Sequence, residues 1–387
     1  MNKGKDLTTK RWKDLEHITW REVRLEEIAD INMGQSPKSI YYNNLGEGIR
    51  FLQGNRTFGR IYPTFDTYTT KITKLANKGD ILFTVRAPVG DMNIANYDLC
   101  IGRGIVAIRG KENHKFLYYS LIHNTEFLKT AENGTTYGSI NKSDLENFKI
   151  EIPDLKTQEK IADILSTYDR LIENNNRRIE ILEKTAEEIY KEWFVRMRFP
   201  GHDNTKFIKG IPEEWEVKRV GDLAKFKRGK NLVIRDAIPG EVPVIAGGME
   251  PSCYHNESNT NAPVITVSAS GANAGYTQLN HVNVWASDCS YIDINDTDLV
   301  YYIYLLLKVS HKEILNLQLG SAQPHVYARD LNNFKFLKPD RKLIKEINSY
   351  AKDIFEKIKY LSSTNQNLIK QRDLLLPRLM NGTIEVK

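Results

Sequence analysis

The stretch TQEKIADILSTYDRLIENNNRRIEILEKTAEEIYKEW, residues 157–193, decides how this chain folds. Apolar and aromatic side chains recur in it every three or four residues, and charged side chains fill the other positions. The stripe consists of Ile161, Ile164, Leu165, Tyr168, Leu171, Ile172, Ile179, Leu182, Ala186 and Ile189. This period predicts one long amphipathic helix, because residues three and four apart lie on the same helical face. A stripe of this length needs a helical partner of similar length to cover it.

A second stretch, residues 343–376, has the same period and offers that partner within the chain. A shift of 186 positions places Ile161, Tyr168, Asn175, Leu182 and Ile189 on Ile347, Ile354, Leu361, Leu368 and Leu375. The same shift aligns upstream residues, namely Gly134, Asp144, Leu145, Asn147, Phe148, Lys149 and Pro153 with Gly320, Asp330, Leu331, Asn333, Phe334, Lys335 and Pro339. One ungapped alignment over this distance indicates an internal duplication. The sequence therefore predicts a globular unit followed by a long helix, present twice.

The composition limits the class of protein. With 387 residues the chain has room for two or three domains, and its net charge of +6 is compatible with a polyanionic partner without proving one. The N-terminal sequence lacks the apolar core of a signal peptide, and no apolar run reaches the length of a membrane span. The three cysteines have no paired spacing, which argues against a structural zinc site. We therefore expect a cytoplasmic protein with no membrane partner.

Each globular unit has the short alternating runs and turn residues of a mostly β structure. In the first unit, runs at 24–34, 48–55, 79–95 and 102–110 predict strands, and residues 114–128 predict a short helix. In the second unit, runs at 242–248, 262–271 and 283–288 predict strands, and residues 298–308 predict a helix. Asp154 and Thr157 are candidate N-caps of the first long helix. Pro200-Gly201 is expected to end that helix, and Pro377 with Asn381-Gly382 is expected to end the second.

Signatures of catalysis are missing from the sequence. Gly229-Lys230 and Gly110-Lys111 lack the Ser or Thr of a P-loop, and no Gly-x-Gly-x-x-Gly opens a helix after a strand. No adjacent prolines occur, so the Asn/Asp-Pro-Pro-aromatic site of amino-methyltransferases is absent, and no His-Glu-x-x-His is present. Asp154 and Asp340 follow prolines where a nuclease carboxylate is conceivable, but both stand where a helix requires a cap. We expect no catalytic residue and no metal ligand in this chain.

What remains is a set of polar loops with side chains that suit nucleic acid. Arg and Lys pair with phosphates or guanine, and Asn and Gln pair with adenine. The candidates in the first unit are Gln35, Ser36, Gln53, Asn55, Arg56, Arg86, Tyr137, Ser139, Asn141 and Lys142. Those in the second unit are Lys227, Arg228, Lys230, Asn231, Ser268, Ser270, Asn273, Gln323, His325, Tyr327 and Arg329. An exposed polar loop residue is by default only solvated, so the repeated position of the loops at 134–144 and 320–330 is the strongest part of this prediction.

The repeat and the starts of the helices resemble the specificity subunit of type I restriction–modification systems. The resemblance lies in GTTYGSINKSDLENFKIEIPDLKTQEKIADIL (134–165), in its second copy GSAQPHVYARDLNNFKFLKPD (320–340), and in GDILFTVRAPVGDMNIA (79–95). It covers residues 20–380 in the order recognition domain, helix, recognition domain, helix. The second copy departs from it where Leu-Ile-Lys-Glu-Ile (343–347) replaces Thr-Gln-Glu-Lys-Ile (157–161). The start of the second helix is therefore expected to dock less typically on a partner.

This resemblance implies an α+β fold with two mostly β target-recognition domains, separated by two long helices that pair as an antiparallel coiled coil with a pseudo-twofold internal repeat. The implied parts are an N-terminal arm (1–19), a first recognition domain (20–153), a first spacer helix (154–199), a linker (200–214), a second recognition domain (215–339), a second spacer helix (340–380) and a tail (381–387). The heptads from Ile161 to Ile189 span about 42 Å, more than one turn of B-DNA at roughly 34–36 Å. The helices would therefore act as a spacer. Asn175 and Asn365 either hydrogen-bond across the pair or face solvent.

The resemblance also implies the partners. Each recognition domain would read half of a split, asymmetric site in double-stranded DNA, and two methyltransferase subunits and motor–nuclease restriction subunits would assemble on the chain. S-adenosylmethionine, ATP and Mg²⁺ would then be bound by those subunits and not by this chain. Two other hypotheses compete with this one. A self-contained methyltransferase or nuclease would show turnover in isolation, and a coiled-coil scaffold would show no salt-dependent DNA binding.

Overall fold

The computed structural model of the chain describes residues 19–130, 139–317 and 325–386. The candidates Tyr137 and Gln323, and all of the predicted N-terminal arm except its last residue, lie outside the described residues. The chain forms two compact units. Unit 1 contains residues up to Ile172 and from Asn367 onward, and unit 2 contains Glu173–Gln366. Each long helix therefore contributes to both units.

Unit 1 is built from short strands and helical turns. Its four-stranded sheet has the strand order Ala29–Met33, Ile105–Gly110, Ile81–Thr84, Met92–Ile94. Its five-stranded sheet has the order Tyr42–Asn43, Tyr68–Thr69, Ile49–Leu52, Leu99–Ile101, Leu75–Ala76. A third, two-stranded sheet pairs Arg21–Arg24 with Lys149–Ile152. Its short helices are Leu25–Ile28, His114–His123, Thr125–Thr130 and Lys142–Glu146, and its 3₁₀ turns are Ser39–Tyr41 and Asn55–Thr57.

Unit 2 has a related arrangement, in which the second sheet has three strands where that of unit 1 has five. Its four-stranded sheet has the strand order Lys227–Arg228, Cys289–Asp293, Val264–Ser268, Thr277–Asn280. Its three-stranded sheet has the order Cys253–His255, Val242–Ile245, Trp285–Ala286. Two two-stranded sheets pair Glu216–Arg219 with Lys335–Lys338 and Phe207–Ile208 with Ile211–Pro212. Its short helices are Val300–Val309, His311–Leu315 and Ala328–Asn333, and its 3₁₀ turns are His202–Asn204, Val220–Asp222, Ile234–Asp236 and Gly271–Asn273.

The internal repeat predicted from the sequence is present in the pairing of the strands. Arg21 pairs with Ile152 in unit 1, and Glu216 pairs with Lys338 in unit 2, in antiparallel two-stranded sheets of the same register. Each unit also contains one parallel strand pair at the corresponding place, with Phe51 opposite Cys100 in unit 1 and Val244 opposite Trp285 in unit 2. The α+β architecture with two mostly β units and two long helices is therefore confirmed.

The two long helices run from Leu155 to Phe194 and from Arg341 to Met380. Asp154 caps the first, since its Oδ1 accepts the backbone N–H of Thr157 at 3.1 Å, and Asp340 Oδ1 accepts that of Lys342 at 2.8 Å. Capping is thus the role of both carboxylates, whereas Thr157 lies inside the first turn and is not a cap. Hydrogen bonds from Thr157 hold the pKa of Asp154 below its ordinary value.

The prediction that Asn381-Gly382 ends the second helix is confirmed, because the helix ends at Met380, but Pro377 lies inside the helix and does not end it. Proline interrupts a helix by removing one N–H donor and crowding the previous turn. Here that loss falls in the last turn, where Leu376, Leu379 and Met380 are buried in the core of unit 1. Packing of these side chains accounts for the additional turn.

Within each unit the long helices pack against one another in an antiparallel register. In unit 1, Ile161 and Leu165 share a core with Leu376 and Leu379. In unit 2, Tyr190 and Phe194 of the first helix share a core with a group from the second helix made up of Ile347, Ala351, Phe355 and Ile358. The heptad period therefore marks the buried seam, as the sequence predicted.

Some members of the predicted stripe are less buried than that prediction implies. Ile164 and Leu171 are 37% and 48% exposed. They line an open apolar cleft of unit 1 together with Tyr168 and Leu368. Positions at the edge of a helical stripe rotate out of the seam, because 3.6 residues per turn does not match a seven-residue repeat.

A polar contact interrupts the apolar seam in each unit. In unit 2, Asn175 Nδ2 donates to Asn365 Oδ1 at 2.9 Å, and Asn365 Nδ2 donates to Asn176 Oδ1 at 2.7 Å. Asn175 and Asn365 are buried, so hydrogen bonding and not solvent exposure is the outcome for this pair. In unit 1, Arg372 Nη1 lies 2.5 Å from Asp169 Oδ1.

Two smaller expectations need correction. Leu25–Ile28 forms a helical turn within the run 24–34 that predicts strand, because Leu25 is fully buried there and Glu27 accepts the Arg24 backbone N–H. The helix predicted at 114–128 is broken at Asn124, whose side chain donates to the Ser120 carbonyl. Among the described residues no helix is long and apolar enough to span a membrane.

Candidate nucleic-acid interface

Five loops of unit 1 meet at one end of its sheets. They contain residues 34–36, 53–56, 85–86, 102–104 and 139–140, and we call them loop cluster 1. Backbone N–H groups of Gln35, Gly104 and Ile140 donate to the carbonyls of Ile101, Gln53 and Val85 at 2.9, 3.2 and 3.0 Å. Arg86 and Ser139 form an isolated β-bridge. Candidates separated by more than fifty residues in sequence, such as Arg86 and Ser139, are therefore adjacent in the fold.

The glycines of loop cluster 1 permit this close approach. A Cβ on Gly34 would lie 2.1 Å from the Gly102 carbonyl oxygen, and one on Gly104 would lie 2.4 Å from the Gln53 carbonyl oxygen. Both neighbours are backbone atoms, which cannot rotate away as a side chain can. The loops consequently reach contact only because these positions carry no side chain.

The side chains of loop cluster 1 differ in how free they are. Gln35, Gln53 and Arg86 are exposed. Ser36 is partly exposed, and its hydroxyl accepts the Arg103 backbone N–H at 3.1 Å. Asn55 donates to Asp91 at 2.6 Å. Cluster 1 thus offers several amide and guanidinium donors, and part of its hydrogen-bonding capacity is used within the protein.

Arg56 forms a bidentate ion pair with Asp66. Its two terminal nitrogens lie 2.6 and 2.7 Å from the two carboxylate oxygens. Hydrogen bonding to Arg56 holds the pKa of Asp66 below its ordinary value, and the same bonds raise the pKa of Arg56. Both side chains are half-exposed or more, so water screens the pair and a phosphate can compete for the guanidinium.

Loop cluster 2 is the corresponding set of loops in unit 2, with residues 229–232, 245–248, 268–270, 285–288 and 325–326. The backbone N–H groups of Lys230, Ser287 and Val326 donate to the carbonyls of Ala286, Ile245 and Ala269 at 2.9, 2.8 and 3.0 Å. The isolated bridge in this cluster joins Ser270 to His325. His325 lies 186 positions after Ser139, which is the shift found in the sequence, and Ser270 lies 184 positions after Arg86. The bridge is therefore repeated, and the segment between its two residues is two residues longer in unit 2.

Loop cluster 2 carries aromatic rings beside its polar groups. The rings of His325 and Tyr327 are stacked, with centroids 5.5 Å apart. The indole N–H of Trp285 donates to the Lys230 carbonyl at 2.8 Å, and Lys230 Nζ lies 5.7 Å from that ring. Asn231 is exposed in the same loop. Tyr327 is exposed and the rings of His325 and Trp285 are partly exposed. Accessible rings beside basic groups suit contact with bases as well as phosphates.

Other candidates in unit 2 have internal partners. The Ser270 hydroxyl donates to the Asp288 carboxylate. Ser268 is buried, and its hydroxyl donates to the Gly247 carbonyl at 3.2 Å. Asn273 is partly exposed within the turn Gly271–Asn273, and Arg329 is exposed near Asp330. Ser268 therefore supports the loops and does not face solvent.

Lys227 is placed differently from its neighbour Arg228. Lys227 Nζ lies 2.8 Å from Asp296 and 3.9 Å from Asp293, above the Tyr291 ring. Partial burial disfavours its charge, but the hydrogen bond to Asp296 and the charge of Asp293 raise its pKa overall. Arg228 is exposed. The charge of Lys227 is thus compensated inside unit 2, and its contact with DNA stays a prediction.

Two candidates at the end of the Gly-led loop of unit 1 have local roles. Asn141 accepts the Asp144 backbone N–H at 3.0 Å and so caps the helix Lys142–Glu146. Lys142 pairs with Glu146 at 3.1 Å. Both side chains are exposed, so capping and pairing leave their outer surfaces open to a ligand.

Sequence reasoning missed Arg103. It lies in the turn between the strands Leu99–Ile101 and Ile105–Gly110, is exposed, and sits in the middle of loop cluster 1. The glycines on either side mark a turn, but they do not reveal that Ser36 and Gln53 approach it. Only the hydrogen bonds from the backbone N–H of Arg103 to Ser36 and from that of Gly104 to Gln53 place this arginine among the candidates.

The described residues contain no group of three or more His, Cys, Asp or Glu side chains arranged to hold a metal ion. The chemistry that the two loop clusters do offer is the donation of hydrogen bonds and positive charge. Arg and Lys side chains suit phosphates and guanine, and amide groups suit adenine. Their arrangement is that of a binding surface.

Comparison with known proteins places the chain among proteins of one kind. Residues 17–184 and 212–372 each match the family described as type I restriction modification DNA specificity domain. The chain is 28% identical over 408 residues to the type I restriction enzyme MjaIX specificity subunit of Methanocaldococcus jannaschii, covering 95% of this chain and 94% of that protein. It is 43% identical over 175 residues to the putative MjaX specificity subunit of the same organism, covering 44% of this chain and 41% of that protein.

A solved structure shares the fold. The crystal structure of a type I restriction–modification S subunit from M. genitalium matches with a TM-score of 0.60 and 20% sequence identity, covering 95% of this chain and 97% of that chain. At this identity the likeness concerns the fold alone. It extends over both units described above.

Proposed function

The chain belongs to the family of type I restriction modification DNA specificity proteins, and on that premise we propose that its two units each read one half of a bipartite, asymmetric DNA site. Family membership makes it a DNA-recognising, non-catalytic subunit. The division of the site between loop clusters 1 and 2 is the finer statement, and it rests on the arrangement of the loops.

One observation carries the proposal. Each unit holds the same set of loops together by equivalent backbone hydrogen bonds, and the side chains on those loops differ. The bridge of Arg86 and Ser139 in unit 1 corresponds to the bridge of Ser270 and His325 in unit 2. Different donors on a repeated frame favour two half-sites of different sequence, because the bases are read by side chains.

In this account the exposed cations bind phosphates and set the position of each unit on the duplex. Arg103 in cluster 1 and Lys230 in cluster 2 are suited to this role, since both are exposed. Amide side chains such as Gln35 and Asn231 then reach base edges, where a bidentate contact contributes about 1–3 kcal/mol of discrimination.

The long helices are proposed to set the spacing between the two half-sites. Each has 40 residues, so its length is about 60 Å at 1.5 Å per residue. Bases opposite the spacer would not be read. The length of helix between the units would therefore be as much a part of specificity as the loops are.

We further propose that two methyltransferase subunits and motor–nuclease restriction subunits assemble on this chain. S-adenosylmethionine, ATP and Mg²⁺ would be bound by those subunits. A methyltransferase must take its target base out of the stack to reach the amine. Holding the duplex at two separated half-sites would fix the region in which that base is extruded.

The test is selection of duplexes from a random DNA library by the full chain together with its methyltransferase subunits. We expect enrichment of two fixed segments of unlike sequence, separated by a spacer of fixed length and variable sequence. Binding of wild-type protein without any sequence enrichment would contradict the proposal. Turnover by the isolated chain with S-adenosylmethionine or Mg²⁺ would instead support an enzyme.

A further inference from the structure

Each unit has a one-turn 3₁₀ helix directly after its first polar loop. These turns are Ser39–Tyr41 in unit 1 and Ile234–Asp236 in unit 2. The loops before them are equivalent, since Gly34 and Gly229 donate to Ile105 and Cys289 at the corresponding ends of paired strands. Five positions after each glycine the 3₁₀ turn begins, so the two turns occupy the same place in the repeat.

Both turns present an isoleucine to solvent. Ile40 is 79% exposed and Ile234 is 68% exposed. A single exposed apolar side chain is ordinary on a protein surface. The observation that requires an explanation is that both units expose one on the same turn, beside a polar loop cluster, although the sequences of the two turns differ.

The turn in unit 1 is held firmly. Its backbone closes through Tyr41 N–H to the Lys38 carbonyl at 3.0 Å. The next residue, Tyr42, packs its ring 4.7 Å from the buried Phe51 and donates its hydroxyl to the Pro37 carbonyl at 2.9 Å. Ile40 thus extends from a fixed turn.

The turn in unit 2 is held by a different set of contacts. Asp236 N–H donates to the Val233 carbonyl at 2.9 Å, and Ile238 N–H donates to His255 Nδ1 at 3.0 Å. The His255 ring packs edge-on against Trp285 at 5.0 Å. Since the Trp285 indole donates to Lys230 in loop cluster 2, the turn and the cluster are connected through one ring.

A basic side chain lies near each of the two isoleucines. Lys38 and Lys71 are exposed near the turn of unit 1, and Lys71 Nζ lies 5.3 Å from the Tyr41 ring. Arg235 follows Ile234 directly and is exposed, and its Nε lies 3.4 Å from Asp236 Oδ1. Water screens this exposed pair, so a phosphate can compete for the guanidinium. Positive charge around an apolar tip fits a polyanion whose grooves expose apolar base surface.

The turn of unit 1 borders loop cluster 1. Tyr42, the residue after this turn, lines an open cleft of about 350 Å³ together with Gln53 and Arg56.

We propose that Ile40 and Ile234 are apolar tips that enter the DNA groove, one in each half-site, and pack against the bases. Aliphatic side chains contact thymine methyl groups in the major groove and act as wedges at base steps in the minor groove. This inference rests on the proposed function, because each tip would act within the half-site read by its own unit.

The test measures binding of the full chain with its methyltransferase subunits to a duplex that carries the site obtained by library selection. Ile40→Ala and Ile234→Ala are each expected to weaken specific binding by roughly 5- to 30-fold. Ile40→Val is expected to retain most of the affinity. Affinity for a non-specific duplex and the slope of log K against log[salt] should not change, because no phosphate contact is lost.

The matched control is Ile208→Ala, an isoleucine of unit 2 that is 47% exposed in the hairpin Phe207–Pro212, outside loop cluster 2. It is expected to bind as the wild type does. Wild-type affinity in both tip variants would overturn the inference while leaving the proposed function intact. Absence of sequence preference in the wild-type protein would overturn both.

Discussion

Loop clusters 1 and 2 share a backbone frame and differ in nearly every side chain that it carries. Gln35 occupies the place of Lys230, since their N–H groups donate to the corresponding Ile101 and Ala286 carbonyls. Ser139 likewise occupies the place of His325. Duplication therefore kept the backbone frame and changed the side chains that it carries. Cluster 1 presents amides and guanidinium groups, whereas cluster 2 adds aromatic rings.

The largest expected effect follows from exchanging residues 215–339 for the second recognition domain of another family member. This replaces the side chains of cluster 2 and leaves cluster 1 unchanged. We expect one half-site of the recognised sequence to change completely and the other to be retained, as measured by mapping methylated sites in cells. A change in both half-sites, or in neither, would contradict the assignment of one half-site to each cluster.

Next in size is the insertion of one heptad into each long helix between the units. Seven residues add about 10 Å, or roughly 3 base pairs at 3.4 Å per step. We expect both half-sites to be retained and the spacer to lengthen by that amount, again measured by mapping methylated sites. An unchanged spacer would show that the helices do not set the distance.

Substitution of single basic residues tests phosphate contact in each cluster separately. Arg103→Ala and Lys230→Ala should each weaken binding to about the same degree on all sequences and lower the salt slope by about 1. Lys227→Ala is the internal control. Lys227 lies only three residues before Lys230 in the sequence, but its charge is paired with Asp296. Titrations at several salt concentrations measure the slopes. Identical slopes for all three variants would contradict the assignment of Arg103 and Lys230 to phosphate contact.

The smallest effects concern the polar contacts of the helical seam. Asn365→Leu leaves the buried Asn175 amide unpaired and should lower the free energy of unfolding by about 1–3 kcal/mol, independently of salt. Arg372→Met removes the ion pair with Asp169 and should cost about 1.5–3 kcal/mol, decreasing at high salt because both groups are partly exposed.

The double variant Asn175→Leu/Asn365→Leu is the control for the seam. It should recover most of the stability lost in the single variant, because both buried partners are replaced and only Asn176, which is partly exposed to water, loses its partner. Denaturant unfolding of the full chain at low and high salt measures the free energy of unfolding of the three variants and the wild type. A salt-dependent loss in Asn365→Leu would show that the two contacts do not differ as their charges suggest.

Much of the fold follows from local sequence, because local rules govern it. The heptads of Ile161 to Ile189, the carboxylate caps Asp154 and Asp340, and the alternating strands are all set by residues within a few positions of one another. Pro377 shows where such rules stop. Its own effect favours ending the helix, whereas burial of Leu376 and Leu379 in a distant core decides the outcome.

The candidate site is less predictable because its contacts join distant parts of the chain. Arg103 belongs to cluster 1 only through its own hydrogen bond to Ser36 and that of Gly104 to Gln53, and no pattern in sequence links these residues. Lys227 resembles Arg228 in sequence, but Asp296, more than sixty residues away, engages its charge. Residue type and turn signals identify the loops, and packing decides which side chains on them are free.

We propose that the two units read two unlike half-sites at a fixed distance. Mapping methylated bases across the genome of a strain that carries the active wild-type system tests it most directly. We predict one motif made of two defined segments of different sequence, separated by a constant number of unspecified base pairs. A single continuous motif, or a palindrome with identical halves, would contradict the account.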